Sequence, residues 1–113
     1  MSFRDEASLQ DILLAAQDVL RFTAGCSEEQ YLANDEQRRA VERCYTIMGE
    51  AVKRVSPELR AKHSHIPWNE IARMRDVLAH WYERVDHKRV WRSIQEDLPE
   101  LVRNLKAIES GSE

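Results

Sequence analysis

The sequence predicts an all-α protein, an antiparallel bundle of four to five helices. Apolar residues recur at steps of three and four along most of the chain, which is the period of one helix face. Turn-forming residues are scarce, with 3 Gly and 3 Pro among 113 residues, and 33% of the chain is charged. A chain of this length forms one domain with a single core. We therefore expect one helical domain over residues 1–113, with a frayed tail at about 110–113.

The first helix is predicted over residues 4–24, because an apolar stripe alternates there with charged residues. The stripe consists of Leu9, Ile12, Leu13, Ala16, Val19 and Leu20. The residues expected to face water are Arg4, Asp5, Glu6, Asp11 and Asp18. Gly25 suits the position after the helix. Ser27 and Gln30 have the spacing of a capping box and predict a short helix through Leu32.

A second long helix is predicted from about Asp35 to Val55, capped by Asn34 or Asp35. Its core face is Val41, Cys44, Tyr45, Met48, Val52 and Val55. Gly49 lies in the middle of this helix, where glycine costs about 1 kcal/mol relative to alanine. Two interpretations of Gly49 stay open: it allows another helix to approach closely, or it is a surface residue.

The segment after this helix predicts a short helical turn and a loop. Ser56 and Pro57 begin the turn, which continues through Lys62. His63 and His65 follow with no cysteine or carboxylate beside them, so a solvated loop is favoured over a metal site.

The last helical region starts after Asp86, a predicted N-cap. Its apolar face comprises Val90 or Trp91, Ile94, Leu98, Leu101, Leu105 and Ile108. Pro99 interrupts this face without changing its phase, although proline is costly inside a helix. We expect one kinked helix, or two nearly collinear helices with Asp97 capping the second. Clustering of Trp68, Trp81 and Trp91 in the second half favours an interface, but three core tryptophans fit equally.

Composition restricts the class of protein. There are 17 Lys plus Arg and 20 Asp plus Glu, a net charge of −3, which argues against a broad basic surface but permits a local basic cleft. No run of 18 apolar residues and no leader segment is present, so we expect a cytoplasmic protein with no membrane partner. Cys26 and Cys44 are expected to be free thiols.

The most informative stretch is residues 66–82, where a further helix is predicted with Pro67 at its first position. The apolar positions are Ile71, Met74, Leu78 and Trp81. At about 100° per residue, Arg75 falls roughly 40° from Ile71, and His80 falls roughly 140° from Arg75. If Arg75 and His80 share one site, either the helix ends near Ala79 or a second copy of the chain closes the site.

An arginine and a histidine suit phosphodiester chemistry. Histidine exchanges a proton near neutral pH, and arginine offers a planar fork of donors that fits two phosphate oxygens. The pair could cleave RNA without a metal or other cofactor, using the 2′-hydroxyl as nucleophile. Asp76, four residues before His80, could orient the imidazole, and Tyr82 would lie near the Arg75 guanidinium on a continued helix. The structural alternative pairs Arg75 with a carboxylate such as Glu50 and leaves His80 to the helix dipole.

The segment Arg75-Asp-Val-Leu-Ala-His80-Trp-Tyr82 resembles the R-x4-H-x-Y motif of HepT-like toxins, in the HEPN superfamily of small helical ribonucleases. The flanking segments are also similar to the family pattern. These are Met48-Gly-Glu-Ala51, Ile66-Pro-Trp-Asn-Glu-Ile71, Val90-Trp91 and Asp97-Leu-Pro99. The resemblance extends from about Leu9 to Ile108, and the ordered set of segments makes it more specific than R-x4-H alone.

The resemblance implies a HEPN-type homodimer with its cleft between the protomers, acting as a metal-independent ribonuclease toxin of a type II toxin–antitoxin module. Arg75 and His80 would be catalytic. Tyr82 matches the tyrosine that a cognate MNT-type nucleotidyltransferase antitoxin blocks with AMP. The sequence departs from many relatives at Asp76, where they carry Asn, and a carboxylate there would repel the RNA backbone. A different class of function is a non-catalytic helical subunit that binds a nucleotide or the nucleotidyltransferase.

Overall fold

The computed structural model describes residues 1–80 and 84–111, and at His80 only the backbone. Within these ranges the chain forms helices and no strands. The helices are α1 (Phe3–Thr23), α2 (Glu28–Ala33), α3 (Asp35–Arg54), α4 (Pro57–Lys62), α5 (Trp68–His80), α6 (His87–Glu96) and α7 (Leu98–Ser110). None of these helices is both long and apolar enough to cross a bilayer.

The predicted all-α fold is confirmed, with seven helices in the described residues because α2, α4 and the division at Asp97 add short elements. Asp97 separates α6 from α7, so the alternative of two helices, and not that of one kinked helix, is the one observed. Its side chain makes no capping hydrogen bond, however, and its backbone is itself helical (φ −100°, ψ −41°), so that detail of the prediction was wrong. Pro99 lies in the first turn of α7. Backbone N–H groups there form no hydrogen bond within the helix, so the missing N–H of proline costs nothing. Ser110, predicted in the tail, ends α7.

Side chains cap the helices largely where the sequence predicts. Ser27 and Gln30 form the complete capping box of α2, and Asn34 rather than Asp35 caps α3. Asp86 accepts hydrogen bonds from two backbone N–H groups at the start of α6. Gly25 has a φ of +74° after α1, as a residue ending a helix often does. These caps fix where the chain turns between helices.

Helix α3 organises the core, packing against both α1 and α5, while α7 packs against α1 and α6. All six predicted core residues of α3 are buried, as are those of α1 except the half-buried Leu20. The last two helices bury Val90, Ile94, Leu98, Leu101, Leu105 and Ile108. Because α1 and α5 both pack on α3, the positions of α5 side chains depend on the surface that α3 presents.

One prediction about the second half was wrong in part, and one pair of alternatives can be compared with the structure. His63 was predicted in a solvated loop but is buried, with 3% of its surface exposed. Its carbonyl accepts a hydrogen bond from the Trp68 indole at 3.1 Å, whereas Ser64 and His65 are exposed as predicted. Trp68 is a core residue, and the half-buried Trp91 lies 5.3 Å from the Tyr31 ring. For Trp68 and Trp91, the alternative of core or half-buried tryptophans is therefore the one that the structure favours. Trp81 lies outside the described residues. Cys26 and Cys44 are free, as predicted.

Asp5 was predicted to face water but is buried. Its carboxylate accepts hydrogen bonds from the Ser56 backbone N–H at 2.9 Å and from the Ser56 hydroxyl at 2.6 Å. The two bonds from Ser56 hold the pKa of Asp5 below its usual value of 3.8. Since Ser56 caps α4, this contact joins the beginning of α1 to the segment between α3 and α4.

We expect Asp5→Ala to lower the free energy of unfolding at pH 7 by about 2–3 kcal/mol, because two hydrogen bonds to a charged acceptor are lost. The folded-state pKa is the lower one, so this contribution is complete above pH 3.8 and disappears as the pH falls through the folded-state value. Urea unfolding between pH 7 and pH 2 measures it. Glu6→Ala, an exposed neighbour in the same turn, serves as the control. An equal loss in both variants, or a loss for Asp5→Ala that does not shrink with acid, would contradict this account.

Candidate active site

Arg75 lies at a close approach of α5 to α3. A Cβ atom added to Gly49 would lie 2.1 Å from the Arg75 Cβ, 2.7 Å from its Cγ and 3.4 Å from the Ile71 carbonyl oxygen. Only a residue without a side chain fits between the two helices at this separation. The interpretation of Gly49 as a close-approach residue is therefore confirmed, and the surface interpretation is wrong. The stem of Arg75 is consequently fixed against the backbone of α3.

The Arg75 side chain is 26% exposed and donates from Nη1 to Asp76 Oδ1 at 3.2 Å. Its Nε is buried and has no hydrogen-bond acceptor among the described residues. A guanidinium carries five N–H donors, and buried donors without acceptors are costly. The structural alternative, in which Arg75 pairs with a carboxylate, is confirmed in general form. The partner is Asp76, so the suggestion of Glu50, which is exposed, was wrong. Arg75 is thus held in place with donor capacity to spare.

Asp76 Oδ1 has a second cationic partner, Lys53 of α3, whose Nζ lies 3.0 Å away. Hydrogen bonds from Lys53 first and from Arg75 second hold the pKa of Asp76 below 3.8. Asp76 is therefore ionised at neutral pH, with one oxygen shared between two cations. Sequence analysis did not single out Lys53. It lies four residues after Gly49, on the same face of α3, and that spacing was the available signal.

The predicted partners of Arg75 are described only in part. The backbone of α5 includes His80 as its last residue, so the ideal-helix angle of about 140° between positions 75 and 80 still applies. The His80 side chain and the whole of Tyr82 lie outside the described residues. Their assigned roles, and the predicted contact of Asp76 with the imidazole, stay predictions.

A groove of about 640 Å³ lies between α5 and the α6–α7 pair. Its α5 wall includes Arg73, Met74 and Val77, and Val77 is 39% exposed. Arg73 and Val77 each lie about 160° around α5 from Arg75, and position 80 lies within about 20° of Arg73. On an ideal helix, position 80 thus falls near Arg73 and on a different side of α5 from Arg75. The Cβ and Cγ of Arg75 lie on the side that meets Gly49.

The fold and the site together define a class: a small all-helical domain in which an arginine of α5 packs on a glycine of α3 and donates to the neighbouring carboxylate. The sequence profile described as Ribonuclease HepT-like matches residues 12–108. The chain belongs to this family of HepT-like ribonucleases, in the HEPN superfamily, as the motif around Arg75 indicated.

Named relatives agree with this membership. The chain is 38% identical to a "putative RNase" of Methanocaldococcus jannaschii over 91% of this chain and 85% of that protein. It is 39% identical to a "putative RNase" of Caldanaerobacter subterraneus over 88% of this chain and 89% of that protein. It is also 39% identical to a "probable ribonuclease HepT" of Thermococcus cleftensis over 82% and 84%. No solved structure gives a significant match to this chain.

Proposed function

We propose that this protein is a metal-independent ribonuclease toxin whose catalytic residues are Arg75 and His80. Membership of the HepT-like ribonuclease family supports an RNA substrate. The observation that carries the assignment of Arg75 is its largely buried side chain, which is anchored to Asp76 through Nη1 while its Nε has no acceptor among the residues that the structure describes. Donors fixed in advance are what a site needs to stabilise charge that develops in a transition state.

The reaction needs no group beyond the RNA and the two side chains. The 2′-hydroxyl oxygen attacks the adjacent phosphorus, and the bond from phosphorus to the 5′-oxygen of the next nucleotide breaks. His80 accepts the 2′-proton, and the imidazolium then supplies a proton to the departing 5′-oxygen. Arg75 binds the non-bridging phosphate oxygens as their negative charge grows. The products are a 2′,3′-cyclic phosphate and a 5′-hydroxyl.

The proposed site lies in a cleft between two copies of the chain. Positions 75 and 80 differ by about 140° around α5, so one protomer directs them to different sides of the helix. In a two-fold dimer, the same patch occurs on both subunits and faces its copy. Arg75 of one protomer then meets His80 of the other.

Cleavage of a defined RNA by the purified, unmodified chain tests this function. We expect cleavage at an unchanged rate in EDTA, 2′,3′-cyclic phosphate ends, and no cutting where the residue before the scissile bond is 2′-deoxy. No cleavage of any RNA would contradict the proposal. Tight binding of a nucleotide or a nucleotidyltransferase without cleavage would instead favour the non-catalytic subunit.

We further propose that a cognate MNT-type nucleotidyltransferase neutralises the toxin by attaching AMP to Tyr82, which is seven residues from Arg75. The attached phosphate would pair with Arg75 and exclude RNA by charge and by bulk. Co-expression with a cognate MNT-type nucleotidyltransferase should raise the intact mass by one or more AMP units and abolish cleavage. Tyr82→Phe should keep its mass and its cleavage activity. An AMP group on another residue, or a modified chain that still cuts RNA, would contradict this assignment.

A further inference from the structure

We propose that Lys53 is a positioning residue of this site, which holds Asp76 so that Arg75 stays fixed and RNA is not repelled. This inference rests on the proposed ribonuclease function. Lys53, Asp76 and Arg75 form a cluster, called here the Lys53–Asp76–Arg75 cluster. It consists of one carboxylate oxygen with a cation on each side, at 3.0 Å and 3.2 Å.

The cluster lies beside the close approach of α3 and α5 at Gly49. Gly49 brings the two backbones together at Arg75, and Lys53 follows one helical turn later on α3. Asp76 is the residue after Arg75, so Lys53 holds α5 at the position where the arginine projects. The contact at Gly49 fixes the Arg75 stem, and the ion pair with Lys53 fixes the carboxylate that orients its guanidinium.

Charge gives Lys53 a second effect. Two cations and one carboxylate leave the cluster with a net charge of +1 at neutral pH, whereas Arg75 and Asp76 alone would sum to zero. The net positive charge of the three-residue cluster attracts a phosphodiester, whereas Arg75 and Asp76 without Lys53 would have no net charge to attract it. Lys53 thus offsets the carboxylate that Asp76 places beside the site.

The effect belongs to activity and not to stability. The side chains of Lys53 and Asp76 are 50% and 48% exposed, and exposed ion pairs contribute little to folding. The Lys53 Nζ is bound to Asp76, so Lys53 acts on the reaction through Asp76 and Arg75. If this is correct, removing the Asp76 charge makes Lys53 dispensable.

A double-mutant cycle in the full-length protein tests this dependence. We expect Lys53→Met to lower kcat/KM about tenfold in the wild-type background, a loss of about 1.4 kcal/mol of transition-state stabilisation. In the Asp76→Asn background, the same substitution should change kcat/KM less than about twofold. An equal loss in both backgrounds would mean that Lys53 contacts RNA directly, and it would overturn the proposal. No loss in the wild-type background would also overturn it.

Arg54→Met is the matched control. Arg54 is the next residue of α3, and its Nη2 lies 3.1 Å from Asp11 Oδ2 in an ion pair of similar exposure. Arg54→Met removes the same charge without touching Asp76, so its kcat/KM should stay within about twofold of the wild type. Lys53→Arg keeps the charge and should restore most of the activity. A loss in Arg54→Met equal to that in Lys53→Met would assign the effect to overall charge.

An NMR titration of the Asp76 carboxyl tests the cluster without any cleavage assay. Lys53→Met should raise the pKa of Asp76 towards 3.8, because the larger of its two stabilising hydrogen bonds is lost. Arg54→Met should leave the titration unchanged. An unaltered Asp76 titration in Lys53→Met would overturn the proposal even if the wild type cuts RNA. If the wild type cuts no RNA, the proposed function fails, and the titration still reports on the cluster.

Discussion

Arg75→Ala is expected to lower the rate of RNA cleavage about 10²–10³-fold, the usual cost of removing a preorganised donor to transition-state charge. The expectation follows from the fixed position of Arg75, whose Cβ and Cγ pack on Gly49 and whose guanidinium donates to Asp76. Single-turnover cleavage of a defined RNA measures it. Because Arg75→Ala keeps the Cβ that packs on Gly49, the fold should survive, and circular dichroism checks that it does.

Arg73→Ala is the matched control, since Arg73 lies on the same helix but faces the groove. It should change the single-turnover rate far less than Arg75→Ala does. His80→Ala should lower the rate about 10²–10⁴-fold, the range for a lost general acid or base. A larger loss in Arg73→Ala than in Arg75→Ala would show that the wrong arginine has been assigned.

Gly49→Ala should destabilise the protein, although the same change in an open helix stabilises it by about 1 kcal/mol. The new methyl would lie 2.1 Å from the Arg75 Cβ, so α5 must move away from α3. Overpacking of this kind costs about 1–3 kcal/mol. Urea unfolding measures the change in the free energy of unfolding. A decrease indicates overpacking against Arg75, and an increase indicates open space at position 49. Cleavage should fall as well, because Arg75 moves with α5.

Two double variants make the cause specific. Gly49→Ala with Arg75→Ala should stay destabilised, because the contact involves the Arg75 Cβ. Gly49→Ala with Arg75→Gly should be more stable than Gly49→Ala with Arg75→Ala, despite the cost of the glycine now placed at position 75 of α5. Stabilisation by Gly49→Ala alone, or equal stability of the two double variants, would contradict the close approach of α3 and α5.

Local features of the fold could be predicted from the sequence. Apolar residues of α3 and α7 repeat at the helical period and are buried as expected. The Ser27–Gln30 box and the Asp86 cap depend on residues three or fewer apart. Their interactions arise within a few residues of chain, so spacing alone contains the information needed.

Contacts between distant segments could not be predicted in the same way. Asp5 has the composition of a solvated residue, yet it is buried because Ser56, 51 residues later, donates to it. His63 belongs to a polar loop but is covered once the Trp68 indole bonds to its carbonyl. Packing between segments determines the burial of both residues. The sequence around each residue does not indicate which partner it will contact.

The candidate site includes features that the sequence predicts locally and one contact between distant segments that it does not predict. Arg75 and Asp76 came from a local motif, and the tight position of Gly49 was one of two open alternatives. Lys53 came only from the structure, because its role depends on α3 lying beside α5. The angle of about 140° between positions 75 and 80 was calculated from the sequence spacing for an ideal helix. It applies to the structure because α5 includes both positions.

Mixed dimers test most directly whether Arg75 and His80 act in one site shared by two copies. Arg75→Ala and His80→Ala chains carrying different tags are co-expressed, and the species holding both tags is purified. The account predicts that this species cuts RNA at up to half the wild-type rate, since one of its two sites regains an intact arginine and histidine. A mixed species as inactive as either parent variant would contradict a site shared between protomers.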